Sequence, residues 1–253
     1  DLEASLIVAS SYSGNTAETL RAFEMARERR LALAAVSTDG ALLEHAGKAG
    51  VAFVRIPSTG VQPRSALGFE TRALLKFFGD DAGLRDTKKL STELDGEAAE
   101  ERGKALAKKL KGKIPIIYAS GRNKALAHIW KIKFNETAKV PAFCNTFPEL
   151  NHNEMIGFDV GETLRPLVQQ FHFIFLRDDK DDPAIMRRMG ETAKIFKQRK
   201  MDVEDMELRG RDFWHRIFDN LWVSDWATLH LARHYGVNPD EVPLVEEFKK
   251  RVA

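Results

Sequence analysis

The chain has little of several residue types, and each shortage excludes a class of structure or partner. Its 253 residues include one cysteine, Cys144, so no disulfide can form within the chain. No apolar run approaches the roughly 20 residues that a membrane helix needs. The formal net charge is only +2, which does not point to a polyanionic partner. We therefore expect a globular protein of the reducing cytoplasm that binds neither nucleic acid nor membrane.

Metal-binding patterns are also missing from the sequence. The seven histidines show no ligand spacing with cysteine, and the near pair His230 and His234 has no evident third ligand. No metal or redox cofactor is predicted. The densely charged run at 177–182 is expected to be a solvated loop.

Apolar runs and helical patterns alternate along the chain. Continuous apolar runs predict buried strands, and apolar residues at spacings of three and four predict helices. In the first part, this predicts strands at 6–10, 31–36 and 51–56, and helices at 16–30, 41–47 and 64–78. Strand, helix, strand is the order typical of a parallel sheet in an α/β protein.

A polar helix over 88–111 is predicted to connect two domains. After it, strands are predicted at 114–119, 171–176 and 203–208, with helices at 122–139, 183–200, 210–234 and 243–252. The expected domains are therefore residues 1–111, including the connecting helix, and residues 112–253. We predict an α/β fold with two three-layer αβα domains and mainly parallel sheets.

Residues 11–16, Ser-Tyr-Ser-Gly-Asn-Thr, directly follow the first predicted strand. The first N–H groups of a helix lack partners and carry partial positive charge, so this position binds anions. The lysine of a nucleotide-binding P-loop is absent. The candidate phosphate-binding residues are Ser11, Ser13, Gly14, Asn15 and Thr16. An ordinary Ser/Thr helix cap is the alternative, and hydroxyl content alone does not separate the two.

Several segments together resemble the sugar isomerase (SIS) domain family, and most closely the bifunctional phosphoglucose/phosphomannose isomerases. The resemblance rests on residues 11–16 and on the Gln-Pro-Arg segment at 62–64. It also rests on the blocks at 135–143 and 148–154, on Ser-Asp-Trp at 224–226 and on Phe-Lys at 248–249. It implies two SIS-type domains, a homodimer, and interconversion of glucose 6-phosphate with fructose 6-phosphate through a cis-enediolate. Mannose 6-phosphate is implied as a second substrate.

The resemblance also assigns catalytic roles to four residues. It implies that Glu136 carries the proton between C1 and C2 from a cleft between the domains. His152, which comes from the other subunit in similar enzymes, would open the sugar ring; imidazole suits that proton transfer near neutral pH. Lys249 would assist ring opening or bind a hydroxyl, and Arg64 would stabilise the enediolate. Without the resemblance, a surface helix carboxylate is favoured for Glu136 and a capping or core histidine for His152, and a salt bridge at a helix N-terminus is the alternative for Arg64.

The sequence departs from the family at two places. The family's Gly-Gly-Ser segment, which contributes to the phosphate site, is not found in the 253 residues, so the first domain is expected to be incomplete at its N-terminus. No threonine occurs at 238–243, where mannose-active members often have one. Three alternatives stay open: a regulatory SIS module that binds sugar phosphate without catalysis, an amino-sugar isomerase, and an inactive fragment.

Overall fold

The structure is a computed structural model that describes residues 2–252, and it confirms the α/β class. The chain forms two compact units, which divide between Lys89 and Leu90. No helix within residues 2–252 combines the length and the apolar composition needed to cross a membrane.

The first unit is a three-stranded parallel sheet in the order β1-β2-β3 with helices between its strands. Its strands are β1 (Leu6–Ser10), β2 (Ala32–Ser37) and β3 (Ala52–Arg55). Its helices are α1 (Ala17–Glu28), α2 (Ala41–Lys48), α3 (Leu67–Phe77) and α4 (Asp81–Glu93), which runs past the division. Phe23 and Leu42 pack on Ala35 of the central strand and form a core on one face of the sheet. The predicted strand and helix order is confirmed here.

The second unit is a four-stranded parallel sheet in the order β5-β4-β6-β7. Its strands are β4 (Ile114–Ser120), β5 (Phe143–Phe147), β6 (Phe171–Arg177) and β7 (Asp202–Glu207). Its helices are α5 (Gly96–Lys109), α6 (Lys124–Glu136), α7 (Arg165–Val168), α8 (Pro183–Gln198), α9 (Phe213–Tyr235) and α10 (Pro243–Val252). The sequence analysis missed β5, because polar residues interrupt its five-residue sequence Phe-Cys-Asn-Thr-Phe and only Phe147 is buried.

The polar segment predicted as one helix is two helices, so that prediction is wrong. The break falls at Asp95, whose carboxylate accepts a hydrogen bond from the Ala98 N–H at 3.0 Å and caps α5. An aspartate in this position begins a new helix, since it satisfies one of the N–H groups that have no partner inside the helix.

Helix α5 belongs to the second unit, whereas the sequence analysis placed it in the first domain. It packs along α9: Gly103 lies so near α9 that an added Cβ would stand 2.5 Å from the Trp226 Cβ. Arg102 donates two hydrogen bonds to the Asp219 carboxylate, at 3.0 and 2.5 Å. Amphipathic pattern alone does not reveal which domain such a helix will pack against.

The charged run at 177–182 was expected to be a solvated loop, and that expectation is wrong for two of its carboxylates. Asp178 and Asp181 are only 5% and 4% exposed. Ser120, at the end of β4, donates to Asp181 at 2.6 Å, and the Asn123 amide donates to Asp178 at 3.1 Å. These donors stabilise buried carboxylates that a run of charged letters does not predict. Burial nevertheless raises the pKa of Asp181.

Candidate functional site

The loop at residues 11–16 joins β1 to α1 at the carboxyl end of the first sheet. Ser11 is buried, and its hydroxyl lies 2.8 Å from the Thr16 hydroxyl. The Gly14 N–H donates to the Ser11 hydroxyl at 3.1 Å, which closes the loop into a tight turn. The five predicted phosphate-binding residues are therefore brought together in one loop.

The first turn of α1 is left without a side-chain cap in the part of the chain that the structure describes. Thr16 holds the N-cap position but makes no capping hydrogen bond. The hydroxyls of Ser13 and Thr16 stand at this exposed helix end. A helix N-terminus without a side-chain cap, beside exposed hydroxyls, favours an anion. The alternative, an ordinary Ser/Thr cap, is not formed by Thr16.

Gly14 is required by a contact within the protein. It adopts a left-handed φ of +73°, and an added Cβ would lie 1.7 Å from the Asp39 carbonyl oxygen. Its own carbonyl accepts the Leu42 N–H of α2 at 3.0 Å. The glycine therefore lets the β1–α1 loop pack against the β2–α2 loop.

Asn15 contributes to the same packing. Its side-chain oxygen accepts the Ala41 N–H at 3.1 Å, at the first residue of α2. Its amide nitrogen donates to the Ser13 carbonyl at 3.3 Å. The side chain therefore holds the loop in shape, and the Asn15 backbone N–H donates to the Ser13 hydroxyl at 3.3 Å.

The corresponding loop of the second unit is filled by the protein's own carboxylates. It follows β4 and begins with Ser120, Gly121 and Arg122. The Ser120 hydroxyl is bonded to Asp181, and the Arg122 guanidinium lies 3.9 Å from the Asp178 carboxylate. In the loop of the first unit, by contrast, Ser13 and Thr16 are exposed, and neither hydroxyl is bonded to a carboxylate within residues 2–252.

Glu136 is the last residue of α6 and is half-buried. The helix ends there because Lys139 adopts a left-handed φ of +57° and its ammonium donates to the Glu136 carbonyl. The predicted helix continued to residue 139, so its end lies three residues earlier. A carboxylate at the end of a packed helix is positioned more precisely than a carboxylate on a loop.

Helix α6 is anchored one turn before Glu136, and the sequence analysis did not single out these residues. Lys133 is buried, forms a 2.7 Å ion pair with Asp225 of α9 and donates to the Leu221 carbonyl at 3.2 Å. Trp130 donates to the Asn220 oxygen at 2.8 Å. A buried ammonium needs such partners, so the pair fixes the position of α6 on α9. The sequence signal that could have revealed this anchor is Lys133, a lysine between two apolar residues of α6.

His152 lies in the loop after β5 and is exposed. The loop consists of two short 3-10 turns, Glu149–Asn151 and Glu154–Phe158, with His152 between them. The His152 N–H donates to the Glu149 carbonyl at 3.0 Å, and the Asn153 amide donates to the Glu149 carboxylate at 2.8 Å. Glu149 thus makes hydrogen bonds within the loop.

Arg64 and Lys249 occupy different settings. Arg64 is half-buried in the 3-10 turn Pro63–Ser65. This turn and the loop at residues 11–16 both belong to the first unit. Lys249 is exposed on α10 and forms a 2.8 Å ion pair with Glu246 on the same helix. Helix α10 buries none of its side chains, and Leu244 and Phe248 are 78% and 61% exposed. The catalytic roles of these residues stay predictions.

Cys144 and the histidines give no second site. Burial raises the pKa of the Cys144 thiol, which makes it a poor nucleophile. Within residues 2–252, no three His, Cys, Asp or Glu side chains form a group that could hold a metal ion.

Comparison with known proteins identifies what the chain is similar to. Residues 99–252 match the family described as "Bacterial phospho-glucose isomerase C-terminal SIS domain". A bifunctional phosphoglucose/phosphomannose isomerase of Caldicellulosiruptor bescii is 35% identical, over 98% of this chain and 76% of that protein. A D-glucosamine-6-phosphate 4-epimerase of Sulfolobus acidocaldarius is 33% identical, over 97% of this chain and 75% of that protein.

The fold is shared with solved structures at much lower identity. The crystal structure of a glucosamine-6-phosphate deaminase from Thermotoga maritima has a TM-score of 0.69. It is 14% identical and covers 95% of this chain and 74% of its own chain. This likeness shows the fold alone.

Proposed function

Because the chain belongs to the bifunctional phosphoglucose/phosphomannose isomerase family, we propose that it interconverts glucose 6-phosphate with fructose 6-phosphate. Mannose 6-phosphate is the second proposed aldose. The observation that carries this function is the loop at 11–16, whose exposed hydroxyls stand at the uncapped N-terminus of α1. A dianionic phosphate is the ligand that such a helix end favours.

The proposed reaction moves protons without net oxidation. Ring opening transfers a proton from the C1 hydroxyl to the ring oxygen, and His152 and Lys249 serve this step. Glu136 then takes the C2 proton, and the C2–H electrons form a C1=C2 double bond while O1 becomes negative. Arg64 stabilises that charge electrostatically. Glu136 returns its proton to C1 while the O2 proton passes to O1, so O1 becomes a hydroxyl and O2 the ketone oxygen. Aldose and ketose are isomers, so no redox cofactor is consumed.

A product assay tests the function directly. We expect purified chain to convert glucose 6-phosphate to fructose 6-phosphate, measured by a coupled enzyme assay on each aldose phosphate. Glucosamine 6-phosphate is assayed in parallel by chromatography of the C4 epimers, because one relative is named as a 4-epimerase. Epimer formation without ketose phosphate would replace the isomerase by that activity. Phosphate-ligand binding without any turnover would favour the regulatory module.

A shared active site in a homodimer is part of the proposal, and subunit complementation tests it. His152 is exposed on its loop, as a residue that serves a neighbouring subunit must be before assembly. Glu136→Gln and His152→Ala chains with different tags are co-expressed, and the heterodimer is purified through both tags. One of its two sites then carries neither substitution, so we expect about half of the wild-type turnover, following two-fold symmetry. Turnover no higher than in either mutant homodimer would place His152 and Glu136 in the same subunit's site.

A further inference from the structure

Two neighbouring strands hold a single carboxylate of the loop that carries His152. Tyr118 of β4 and Asn145 of β5 are directly paired in the sheet. The Tyr118 hydroxyl donates to one oxygen of Glu154 at 2.6 Å, and the Asn145 amide donates to the other oxygen. Both carboxylate oxygens are therefore bonded to the sheet, one to the inner strand β4 and one to the edge strand β5, two residues after His152.

Tyr118 and Asn145 together form a clamp on the Glu154 carboxylate, and its chemistry makes the clamp strong. Tyr118 is completely buried, and burial together with the adjacent Glu154 carboxylate raises the pKa of its hydroxyl. The hydroxyl therefore remains a donor at neutral pH. Hydrogen bonds to an ionised carboxylate are roughly twice as strong as those between neutral groups. Tyr118 also packs edge-on against Phe147, the last residue of β5, which fixes its ring.

The other side of the loop has its own anchor. Leu150 is completely buried, and the Asn151 amide donates to the Thr192 hydroxyl of α8 at 2.8 Å. His152 thus lies between a fixed residue before it and the clamped Glu154 after it, with its imidazole exposed. Anchors on both sides hold the backbone of His152 in place before substrate binds. Less conformational entropy is then lost when the imidazole reaches its reacting position.

We propose that Tyr118 and Asn145, acting through Glu154, are positioning residues for His152 in ring opening. This inference rests on the proposed isomerase function and deepens it. Neither Tyr118 nor Asn145 is placed in contact with substrate. Their role is to hold the segment that presents the imidazole.

The test uses Tyr118→Phe, with Glu154→Gln as a second variant that leaves the buried core untouched. Tyr235→Phe is the matched control, because it removes a tyrosine hydroxyl of the same unit that makes a different hydrogen bond, accepting the Gly112 N–H at 2.7 Å. In both test variants we expect kcat to fall about tenfold, the usual effect of losing one charge-assisted hydrogen bond. The KM should stay within about twofold of wild type, because the phosphate loop is unchanged. The control should keep wild-type kcat and KM.

Two further readouts separate positioning from a merely structural effect. Amide hydrogen exchange at 149–158 should rise about tenfold in both variants, since the clamp opens locally. The isotope effect with C2-deuterated glucose 6-phosphate should fall toward one, because slow ring opening hides proton transfer at C2. An unchanged kcat, or an isotope effect at least as large as in wild type, would overturn the positioning role while leaving the isomerase in place. Absence of turnover in the wild-type chain would overturn both, and exchange would then report only on the clamp.

Discussion

Replacing Glu136 with glutamine is expected to lower kcat for glucose 6-phosphate by about a thousandfold, within the range that a general base contributes. Glutamine keeps the size of the side chain but cannot take the C2 proton. The phosphate loop at 11–16 lies in the other unit of the chain, so binding of the phosphate group should be nearly unchanged. Turnover is measured by the coupled assay. Binding is measured by calorimetry with glucitol 6-phosphate, which has no carbonyl and cannot be isomerised.

The matched control for this substitution is Glu101→Gln. Glu101 also lies on a helix of the second unit, α5, where it is exposed and only 3.8 Å from Lys104. An exposed ion pair of this kind contributes little to stability. We expect kcat within twofold of wild type. If Glu136→Gln kept more than about a tenth of the wild-type kcat while the control behaved normally, another group would have to serve as the base.

Replacing Gly14 with alanine is expected to abolish productive phosphate binding and to destabilise the first unit. The new Cβ would lie 1.7 Å from the Asp39 carbonyl oxygen, and the φ of +73° disfavours any side chain. The backbone must therefore move, which disrupts the hydrogen bond from the Leu42 N–H to the Gly14 carbonyl. We expect a loss of roughly 3 kcal/mol in the free energy of unfolding of this unit. Affinity for glucitol 6-phosphate should fall at least about tenfold.

The measurement must report on the first unit alone. All four tryptophans lie between residues 130 and 226, in the second unit, so tryptophan fluorescence does not follow the change. Amide exchange in β1 and β2, compared with β4, separates the two units. Gly47→Ala is the control, because Gly47 is helical and an added Cβ there meets no atom within 4 Å. That variant should be as stable as wild type or slightly more so, since alanine favours helix. Unchanged affinity in Gly14→Ala would remove the 11–16 loop from the phosphate site.

Several features followed from local sequence pattern because they depend on neighbouring residues only. The alternation of strands and helices is one such feature, although β3 has no buried residue, and the placing of residues 11–16 between β1 and α1 is another. Glu136 near a helix end was also predictable, although the helix ends at Glu136, three residues before the predicted end at Lys139. The half-polar strand β5 was not, because an edge strand with one buried residue lacks a continuous apolar run.

Other features depend on residues far apart in the chain, and no local pattern contains them. The need for glycine at position 14 arises from Asp39, and the burial of Asp181 arises from Ser120. The clamp on Glu154 requires β4 and β5 to pair in one register, so that Tyr118 and Asn145 meet the same carboxylate. Local hydrophobic spacing specifies which segments become helices and strands, whereas hydrogen-bond partners across 25 or more residues exist only after those segments have packed.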